Sequence, residues 1–250
     1  MRPAASVLGQ IPGFDGAQVV ARLSDGPTNA SFAIERGGER FVLRIDKPAA
    51  DGYGLDRAAE LEVIETLAAS GLGEWPQHYD AESGVYLRPF LPGRSWTKAD
   101  LQDSANLKKL ANLLRQVHRL PPVGRRFDPV AFASRYAEQL GTVEALKIYR
   151  DIESVFTSLE PVRPALCHND LVCSNILESD RLTLIDWEWA GTGDPFFDLA
   201  VVVQHHGLSG ELGRHFLTAY LGEEPSIGDM ERLKSQCRFY KVLLKLWVLL

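Results

Sequence analysis

The stretch that decides the predicted fold is Leu166-Cys-His-Asn-Asp-Leu-Val-Cys-Ser-Asn175, which is followed by Leu182-Thr-Leu-Ile-Asp-Trp-Glu-Trp189. Phosphoryl transfer from ATP needs few protein groups: a carboxylate that takes up the proton of the acceptor hydroxyl, and oxygen ligands that hold magnesium on the phosphates. Asp170 can supply the first, and Asn175 and Asp186 the second, because Mg²⁺ prefers hard oxygen ligands. The stretch therefore predicts an ATP- and Mg²⁺-dependent phosphotransferase.

The spacing of these residues supports the prediction. His168 lies two residues before Asp170 and is expected to orient it. Short strand-like runs at 176–178 and 182–185 predict a hairpin, which would bring the asparagine and the aspartate at its two ends beside each other. The order His-x-Asp, Asn and strand-borne Asp is that of the kinase catalytic loop and its metal-binding Asp. A lone His-x-Asp also occurs in ordinary polar loops, but the whole set around one hairpin favours a catalytic site.

Composition and charge limit the classes of protein that fit this sequence. Its 250 residues, 45% hydrophobic and 24% charged, are typical of a globular protein with one large domain or two lobes. A net charge of -6 disfavours a general nucleic-acid binder. The three cysteines form no C-x-x-C pair, and no segment has the pattern of a signal peptide or a membrane span. We therefore expect a cytoplasmic protein without nucleic-acid or membrane partners.

A nucleotide-binding sheet is predicted near the N-terminus. A turn-rich loop at 24–29 lies between two strand patterns, and its backbone N–H groups can bind phosphates, although a plain hairpin loop has the same pattern. The next strand, at 40–45, alternates so that Val42 and Arg44 share a face. On that face Val42 is expected to contact adenine and Arg44 the phosphates. An exposed strand arginine is the alternative.

The first helix is predicted at 55–70. Apolar residues recur there at helical spacing, and Gly71 just beyond is a stop signal. Glu60 lies in the first half of this helix and is expected to pair with Arg44. A solvated glutamate is the alternative.

A boundary between two lobes is predicted at Pro89-Phe-Leu-Pro-Gly93, where the chain changes from strand-rich to helix-rich. We place the adenine hinge there. The N-lobe at 1–92 would bind the nucleotide, and the C-lobe at 93–250 would carry the catalytic loop, the metal site and the acceptor pocket. One of its main predicted helices ends near 120. A long helical region is predicted at about 129–159, with a bend near Gly141. Two further helices are predicted at 210–221 and from 227 to the end.

A further helix start is predicted after the catalytic hairpin. Asp194 can cap it, with Pro195 at the favoured first position. Asp198 in its first turn is expected to brace the catalytic loop by hydrogen bonds and to take no direct part in the chemistry.

Together these residues resemble the choline/ethanolamine kinase and aminoglycoside phosphotransferase superfamily, and most closely its bacterial choline-kinase-like and thiamine-kinase-like branch. The resemblance runs from about Val19 to Trp247. The motifs that carry it are Leu23-x-x-Gly26-x-Thr28-Asn29, Val42-Leu-Arg44-Ile, Leu184-Ile-Asp-Trp-Glu-Trp-Ala-Gly191 and Gly193-Asp-Pro-x-x-Asp198. It implies an α+β, two-lobed protein-kinase-like fold with a small N-lobe, made of an antiparallel sheet and one helix, and a larger, mainly helical C-lobe.

The resemblance also implies ATP and Mg²⁺ as cofactors and a small molecule as acceptor. The catalytic base would be Asp170, supported by His168, and the magnesium ligands would be Asn175 and Asp186. The nucleotide would be bound by Arg44 and its partner Glu60, by Val42, and by the loop residues Thr28 and Asn29.

The acceptor is expected to be a small cationic alcohol of the choline, ethanolamine or thiamine class. Aromatic faces attract quaternary ammonium groups, and the candidate walls are Trp187, Trp189, Tyr240 and Trp247, although large aromatic side chains commonly pack in cores. Glu188 shares the strand parity of Asp186 and is therefore expected to pair with the cationic acceptor.

Other functions remain open at this point. An aminoglycoside- or sugar-directed phosphotransferase is the alternative enzyme, and a catalytically inactive nucleotide-binding protein is the alternative from another class. A metal hydrolase built on His168 and Asp170 lacks further ligands in the pattern. The chain stops on Lys241-Val-Leu-Leu-Lys-Leu-Trp-Val-Leu-Leu250, where such families usually continue. A wall of the acceptor pocket is therefore expected either to be missing or to come from a partner subunit, as in a homodimer.

Overall fold

The structure is a computed structural model that describes residues 1–156 and 162–250. The chain divides into two units. Unit 1 comprises Met1–Gly93 and Trp187–Trp189, and unit 2 comprises Arg94–Asp186 and Ala190–Leu250. The predicted division of function between 1–92 and 93–250 stays a prediction.

Unit 1 is built on an antiparallel sheet of five strands in the order β1-β2-β3-β5-β4. The strands are β1 (Gln18–Asp25), β2 (Asn29–Arg36), β3 (Glu39–Asp46), β4 (His78–Asp80) and β5 (Val85–Pro89). Helix α1 (Ala4–Leu8) precedes the sheet and α2 (Arg57–Ala69) follows β3. Helix α2 begins where the Asp56 carboxylate accepts a hydrogen bond from the Ala59 N–H, which satisfies one of the free N–H groups of the first turn.

The core of unit 1 lies on one face of this sheet. Phe41, Leu43 and Ile45 of β3 are buried in a cluster with apolar residues of the N-terminal segment, namely Val7, Leu8, Ile11 and Phe14. Because side chains alternate along a strand, Val42 and Arg44 lie on the opposite face, as the sequence pattern predicts. Helix α1 was not predicted, because five residues are too few to show a helical period.

Unit 2 is mainly helical. Its helices are α3 (Ser104–Val117), α4 (Pro129–Leu140), α5 (Val143–Phe156), α6 (Pro195–His205), α7 (Gly210–Leu221) and α8 (Ile227–Leu249). The predicted long helix is interrupted at Gly141, whose φ of 62° ends α4, and its predicted end at 159 lies outside the described residues. The Asp194 carboxylate caps α6 as predicted by accepting from the Phe196 N–H. Of the helices in the described ranges, none is long and apolar enough to cross a membrane.

Short strands complete unit 2. They are β6 (Arg94–Ser95), β7 (Ala165–Cys167), β8 (Ile176–Glu178), β9 (Leu182–Leu184) and β10 (Gly191–Gly193). Strands β8 and β9 form the predicted hairpin, extended by β6, while β7 and β10 pair with each other. The β7–β10 pair was not predicted, since three residues carry no recognisable alternation. It holds the segment before the catalytic loop against the segment after the hairpin.

The close approach of β10 to the backbone at Arg125 gives a prediction about stability. A Cβ atom at Gly191 would lie 2.3 Å from the Arg125 carbonyl oxygen, whereas a Cβ at Gly193 in the same strand would meet its neighbours at 3.6 Å or more. We therefore expect Gly191→Ala to lower the free energy of unfolding by about 1–3 kcal/mol, as overpacking typically does. For a protein of this size, the melting temperature would fall by about 2–4 °C for each kcal/mol.

Gly193→Ala is the matched control and should change stability much less, as measured by urea or thermal unfolding of both variants. Equal losses in the two variants would show that the contact with Arg125 is not the cause.

Candidate active site

The β8–β9 hairpin joins the two predicted metal ligands through the backbone. Ile176 pairs with Leu184, and beyond this pair the Ile185 N–H donates to the Asn175 carbonyl oxygen at 3.0 Å. The residue directly before Asp186 is thereby fixed to Asn175. The backbone geometry is the one that the hairpin pattern predicts for these two positions.

Asn175 also holds the loop that carries Asp170. Its Nδ2 donates to the Asp170 carbonyl oxygen at 2.9 Å and to the Asp170 Oδ2 at 3.0 Å. An ionised carboxylate only accepts, so the amide nitrogen must face Asp170 and the amide oxygen is directed away from it. Asn175 is buried and Asp170 half-buried, and the two side chains hold each other in one orientation.

His168 supports the same loop from behind. Its Nδ1 accepts from the Asp170 N–H at 3.2 Å, and its Nε2 lies 2.9 Å from the Ile185 carbonyl oxygen. These partners require a ring that carries its proton on Nε2. Burial lowers the pKa of His168, which keeps the ring neutral. His168 therefore connects the loop that carries Asp170 to the residue before Asp186.

Asp198 braces the backbone of the predicted catalytic loop by hydrogen bonds, as expected from the sequence. Its Oδ2 accepts from the His168 N–H at 2.8 Å and its Oδ1 from the Asn169 N–H at 2.7 Å. His118 Nε2 lies 3.0 Å from Oδ2, and Tyr220 holds the other nitrogen of that ring at 2.8 Å. Burial opposes the ionised carboxylate, but the hydrogen bond and charge of His118 outweigh it and lower the pKa of Asp198. His118 was not predicted, because its only sequence feature is a place on a helix.

The backbone is strained at two positions of this site. Among the residues in 1–156 and 162–250, Asn169 and Asp186 are the non-glycine residues with positive φ, each at 66°. Asn and Asp adopt this region more readily than other side chains, but such positions persist only where the surroundings hold them, often at functional sites. Here the neighbouring N–H and carbonyl groups are held by Asp198 and His168.

In unit 1 the predicted pair of Arg44 and Glu60 is present. Two parallel hydrogen bonds join the guanidinium to the carboxylate at 2.6 and 2.7 Å, and both side chains are buried. Burial alone would raise the pKa of Glu60, but the Arg44 and Arg57 guanidiniums outweigh it and lower this pKa to about 2. The glutamate is therefore ionised at neutral pH, and the alternative of a solvated side chain is wrong.

Arg57 is a central residue of unit 1 that the sequence did not reveal. Its guanidinium donates to three carboxylates: to Asp46 at 2.7 and 2.8 Å, to Glu60 at 2.8 Å and to Glu188 at 3.1 Å. One sequence signal could have drawn attention to it. A cation in the first turn of a helix opposes the helix dipole, so an arginine as the first residue of α2 suggests partners outside the helix.

Glu188 lies in a hydrogen-bonded network of unit 1. Its Oε1 accepts from the Thr28 hydroxyl at 3.1 Å, and its Oε2 accepts from Asn29 Nδ2 at 2.8 Å and from Arg57 at 3.1 Å. Only 7% of the side chain's surface is exposed. The carboxylate thus belongs to a buried network with the predicted nucleotide-loop residues, and its pairing with a cationic acceptor stays a prediction.

The predicted aromatic walls fall in both units. Trp187 is buried and Trp189 half-buried in unit 1, while Trp247 is half-buried on α8 of unit 2. Tyr240, also on α8, has its hydroxyl 2.7 Å from His205 Nδ1. Burial and then the negative charge of Asp170 raise the pKa of Tyr240, so this ring lies within the field of the proposed base.

One group of three potential metal ligands occurs in the described part of the chain: His118, Cys167 and Asp198. It does not include His168 or Asp170, so the structure gives no support to a metal hydrolase built on those two residues. The group coincides with the buried brace described above, in which both Asp198 oxygens already accept hydrogen bonds.

The sequence matches the model of the phosphotransferase enzyme family over residues 19–234. Two Protein LicA sequences of Haemophilus influenzae are 30% identical; one match covers 79% of this chain and 61% of the relative, the other 78% and 77%. A thiamine kinase of Shigella boydii is 30% identical over 73% of this chain and 65% of its own length. The chain thus spans less than two thirds of the first LicA sequence and of the thiamine kinase.

Solved structures show the same fold. Choline kinase LicA from Streptococcus pneumoniae superposes with a TM-score of 0.84 at 20% identity, over 98% of this chain and 89% of that chain. A structure of LicA in complex with AMP has a TM-score of 0.81 at 20% identity, over 98% and 88%.

The low pKa of Glu60 predicts how stability depends on pH. A group whose pKa is lower in the folded state contributes stability that is present above its unfolded pKa and is lost as the pH falls towards its folded pKa. For Glu60 this window runs from 4.5 down to about 2. A tenfold change in proton affinity is about 1.4 kcal/mol, so the group's contribution is on the order of 3 kcal/mol.

We expect urea unfolding between pH 5 and pH 2.5 to show a steeper loss of stability in the wild type than in Glu60→Gln, which lacks the titrating group. Parallel pH dependence in the two proteins would show that Glu60 is not held ionised by its arginines.

Proposed function

Because this chain belongs to the phosphotransferase enzyme family, we propose that it is an ATP- and Mg²⁺-dependent kinase that phosphorylates a hydroxyl of a small cationic molecule. The family confirms the predicted resemblance, and the α+β protein-kinase-like fold class is confirmed by the superposed kinases. The thiamine kinase of Shigella boydii and the choline kinase of Streptococcus pneumoniae are kinases by name, which agrees with the predicted class of enzyme.

The observation that carries the proposal is the contact between Asp170 and Asn175, together with the backbone bond that fixes Asn175 beside the residue before Asp186. This grouping of oxygen-bearing side chains on one loop and one hairpin supports the proposal, because phosphoryl transfer requires a base and magnesium ligands that lie close together.

The proposed reaction gives each of these residues one task. Asp170 takes up the proton of the acceptor hydroxyl while that oxygen forms a bond to the γ-phosphorus of ATP. The bond from this phosphorus to the β-phosphate oxygen breaks, and ADP leaves. His168, neutral and hydrogen-bonded on both nitrogens, keeps the loop in place, since a protonated ring could not accept from the Asp170 N–H.

Magnesium fits the donor set of unit 2. The amide of Asn175 presents its oxygen away from Asp170, and Asp186 is an exposed carboxylate, so both offer the hard oxygen atoms that Mg²⁺ prefers. When bound, the ion would neutralise charge on the phosphates. Asn175 and Asp186 would hold it, and Asn175 would at the same time keep Asp170 oriented.

On the nucleotide side, Arg44 would contact the phosphates, with Glu60 fixing its guanidinium. Val42, on the same face of β3, would contact adenine, and Thr28 and Asn29 would complete the nucleotide loop. The AMP bound by LicA supports a nucleotide site in this fold.

The acceptor class rests on the resemblance and on the relatives named thiamine kinase and choline kinase. Choline, ethanolamine and thiamine are therefore the first candidates, with Trp187, Trp247 and Glu188 as the residues proposed from sequence to receive the cation. Aminoglycosides and sugars are the competing acceptors.

The test is release of ADP from Mg-ATP with choline, ethanolamine, thiamine, aminoglycosides and sugars offered singly. We expect turnover with one of the first three, and Asp170→Asn should reduce it by about two to four orders of magnitude, the usual cost of losing a general base. Turnover with an aminoglycoside or a sugar would favour the alternative acceptor class, and no turnover with any of them would contradict the proposal.

Asp180→Asn is the matched control for this experiment, since Asp180 lies exposed in the turn between β8 and β9. It should turn over like the wild type. An Asp170→Asn protein that matched this control would remove Asp170 from the role of base.

The role of Asp186 gives a separate prediction. We expect Asp186→Ala to weaken the binding of Mg-ATP by more than it weakens the binding of adenosine, which needs no metal. Calorimetric titration of both ligands into both proteins measures the difference. An equal loss for the two ligands would indicate general damage and argue against a lost magnesium ligand.

A further inference from the structure

Arg57 joins three buried or half-buried carboxylates of unit 1 through one guanidinium. Its Nε and one terminal nitrogen bind both oxygens of Asp46, the other terminal nitrogen binds Glu60, and a further bond reaches Glu188. Every nitrogen of the guanidinium thus donates to a carboxylate. The side chain is buried, so it is placed to hold these groups and not to take up a phosphate itself.

The contact with Glu188 bears on the segment that carries Asp186. Glu188 follows Asp186 by two residues, so their Cα atoms are at most about 7 Å apart. Both oxygens of the Glu188 carboxylate are held, by Thr28, Asn29 and Arg57. Whatever fixes Glu188 therefore limits the positions that the Asp186 backbone can adopt.

Asp186 needs such restraint because its backbone is strained. Its φ of 66° lies in the left-handed region, which costs free energy and persists only where the surrounding structure holds it. On its N-terminal side, Ile185 is bonded through its N–H to Asn175 and through its carbonyl to His168. On its C-terminal side, the corresponding restraint is the network around Glu188.

We propose that Arg57 is a positioning residue for phosphoryl transfer. By holding Glu188, it fixes the chain after Asp186 and keeps the Asp186 carboxylate where it can bind Mg²⁺. The same guanidinium binds Glu60, the partner of Arg44, so one side chain supports both the predicted metal ligand and the predicted phosphate contact. This inference rests on the proposed function.

The test measures how much Mg²⁺ strengthens the binding of ATP. The quantity is the ratio of two ATP dissociation constants, one measured in EDTA and one in excess Mg²⁺, by calorimetry. Adenosine is titrated in parallel, because its binding needs no metal and reports whether the fold and the adenine site are intact. Asp186→Ala gives the ratio that remains when the metal ligand itself is absent.

Two variants remove the proposed contact in different ways. Arg57→Lys keeps the charge but cannot make the forked contacts, and Glu188→Gln keeps the shape but removes the charge. We expect the Mg²⁺ effect to fall about tenfold or more in each, since residues that orient metal ligands typically change metal affinity by about 10–100-fold. Adenosine binding should stay within about twofold. The double variant should show about the same loss as the more strongly affected single variant, because the Arg57–Glu188 contact is already broken in each.

Arg22→Lys is the matched control. Arg22 is another arginine of unit 1, but it pairs with Asp25 at the surface, so the same substitution there should leave the Mg²⁺ effect unchanged. The inference is overturned if Arg57→Lys and Glu188→Gln keep the wild-type ratio while Asp186→Ala loses it. It is also overturned if the two variants weaken adenosine equally, which would be a purely structural effect, or if their effects multiply in the double variant.

Failure of the proposed function has a different signature. A wild-type protein that binds ATP equally with and without Mg²⁺ would overturn that function and this inference together. A Glu188→Gln protein with an unchanged Mg²⁺ effect and a raised KM for the acceptor found in the ADP-release screen would overturn the inference and restore the acceptor role predicted from sequence.

Discussion

The carboxylate of Asp198 is the constraint on which the predicted catalytic loop depends. It is fully buried, which by itself would favour the neutral acid, yet it accepts two backbone N–H groups and a hydrogen bond from His118. Hydrogen bonds to an ionised group are stronger than neutral ones, and a buried carboxylate that lost them would be left uncompensated. These bonds hold the backbone of His168 and Asn169 in place, including the unusual φ of Asn169.

Unit 1 also contains a buried carboxylate, but its charge is compensated by side chains. Glu60 is held by guanidinium groups and not by backbone N–H groups, and two arginines share it. Removing one partner from such a cluster leaves a buried charge without compensation, which typically costs about 3–5 kcal/mol, more than the pair itself contributes. The cluster therefore joins β3, α2 and the Glu188 segment through charges that are compensated only while all three stay in contact.

Features that are local in the sequence, or that have a recognisable spacing or capping pattern, were predicted correctly. The β8–β9 hairpin, the Asp194 cap of α6, helix α7 and the Arg44–Glu60 pair all follow from spacing, alternation or capping chemistry. Prediction failed where the feature depended on contacts that are distant in sequence. The β7–β10 pair is too short to show alternation, and the partners of Arg57 lie between 3 and 131 residues away along the chain.

Strand parity could not predict the partners that Glu188 has in unit 1, and the reason is physical. Side chains two residues apart, such as those of Asp186 and Glu188, lie on the same side only while the chain continues as a regular strand. Strand β9 ends at Leu184, and Asp186 has a positive φ, which no regular strand contains. Alternation therefore stops before Glu188 is reached, and the chain passes from unit 2 to unit 1 after Asp186. The positive φ of Asp186 therefore marks the point beyond which strand parity no longer indicates the direction of a side chain, and the partners of Glu188 follow from contacts with residues that are distant in the sequence.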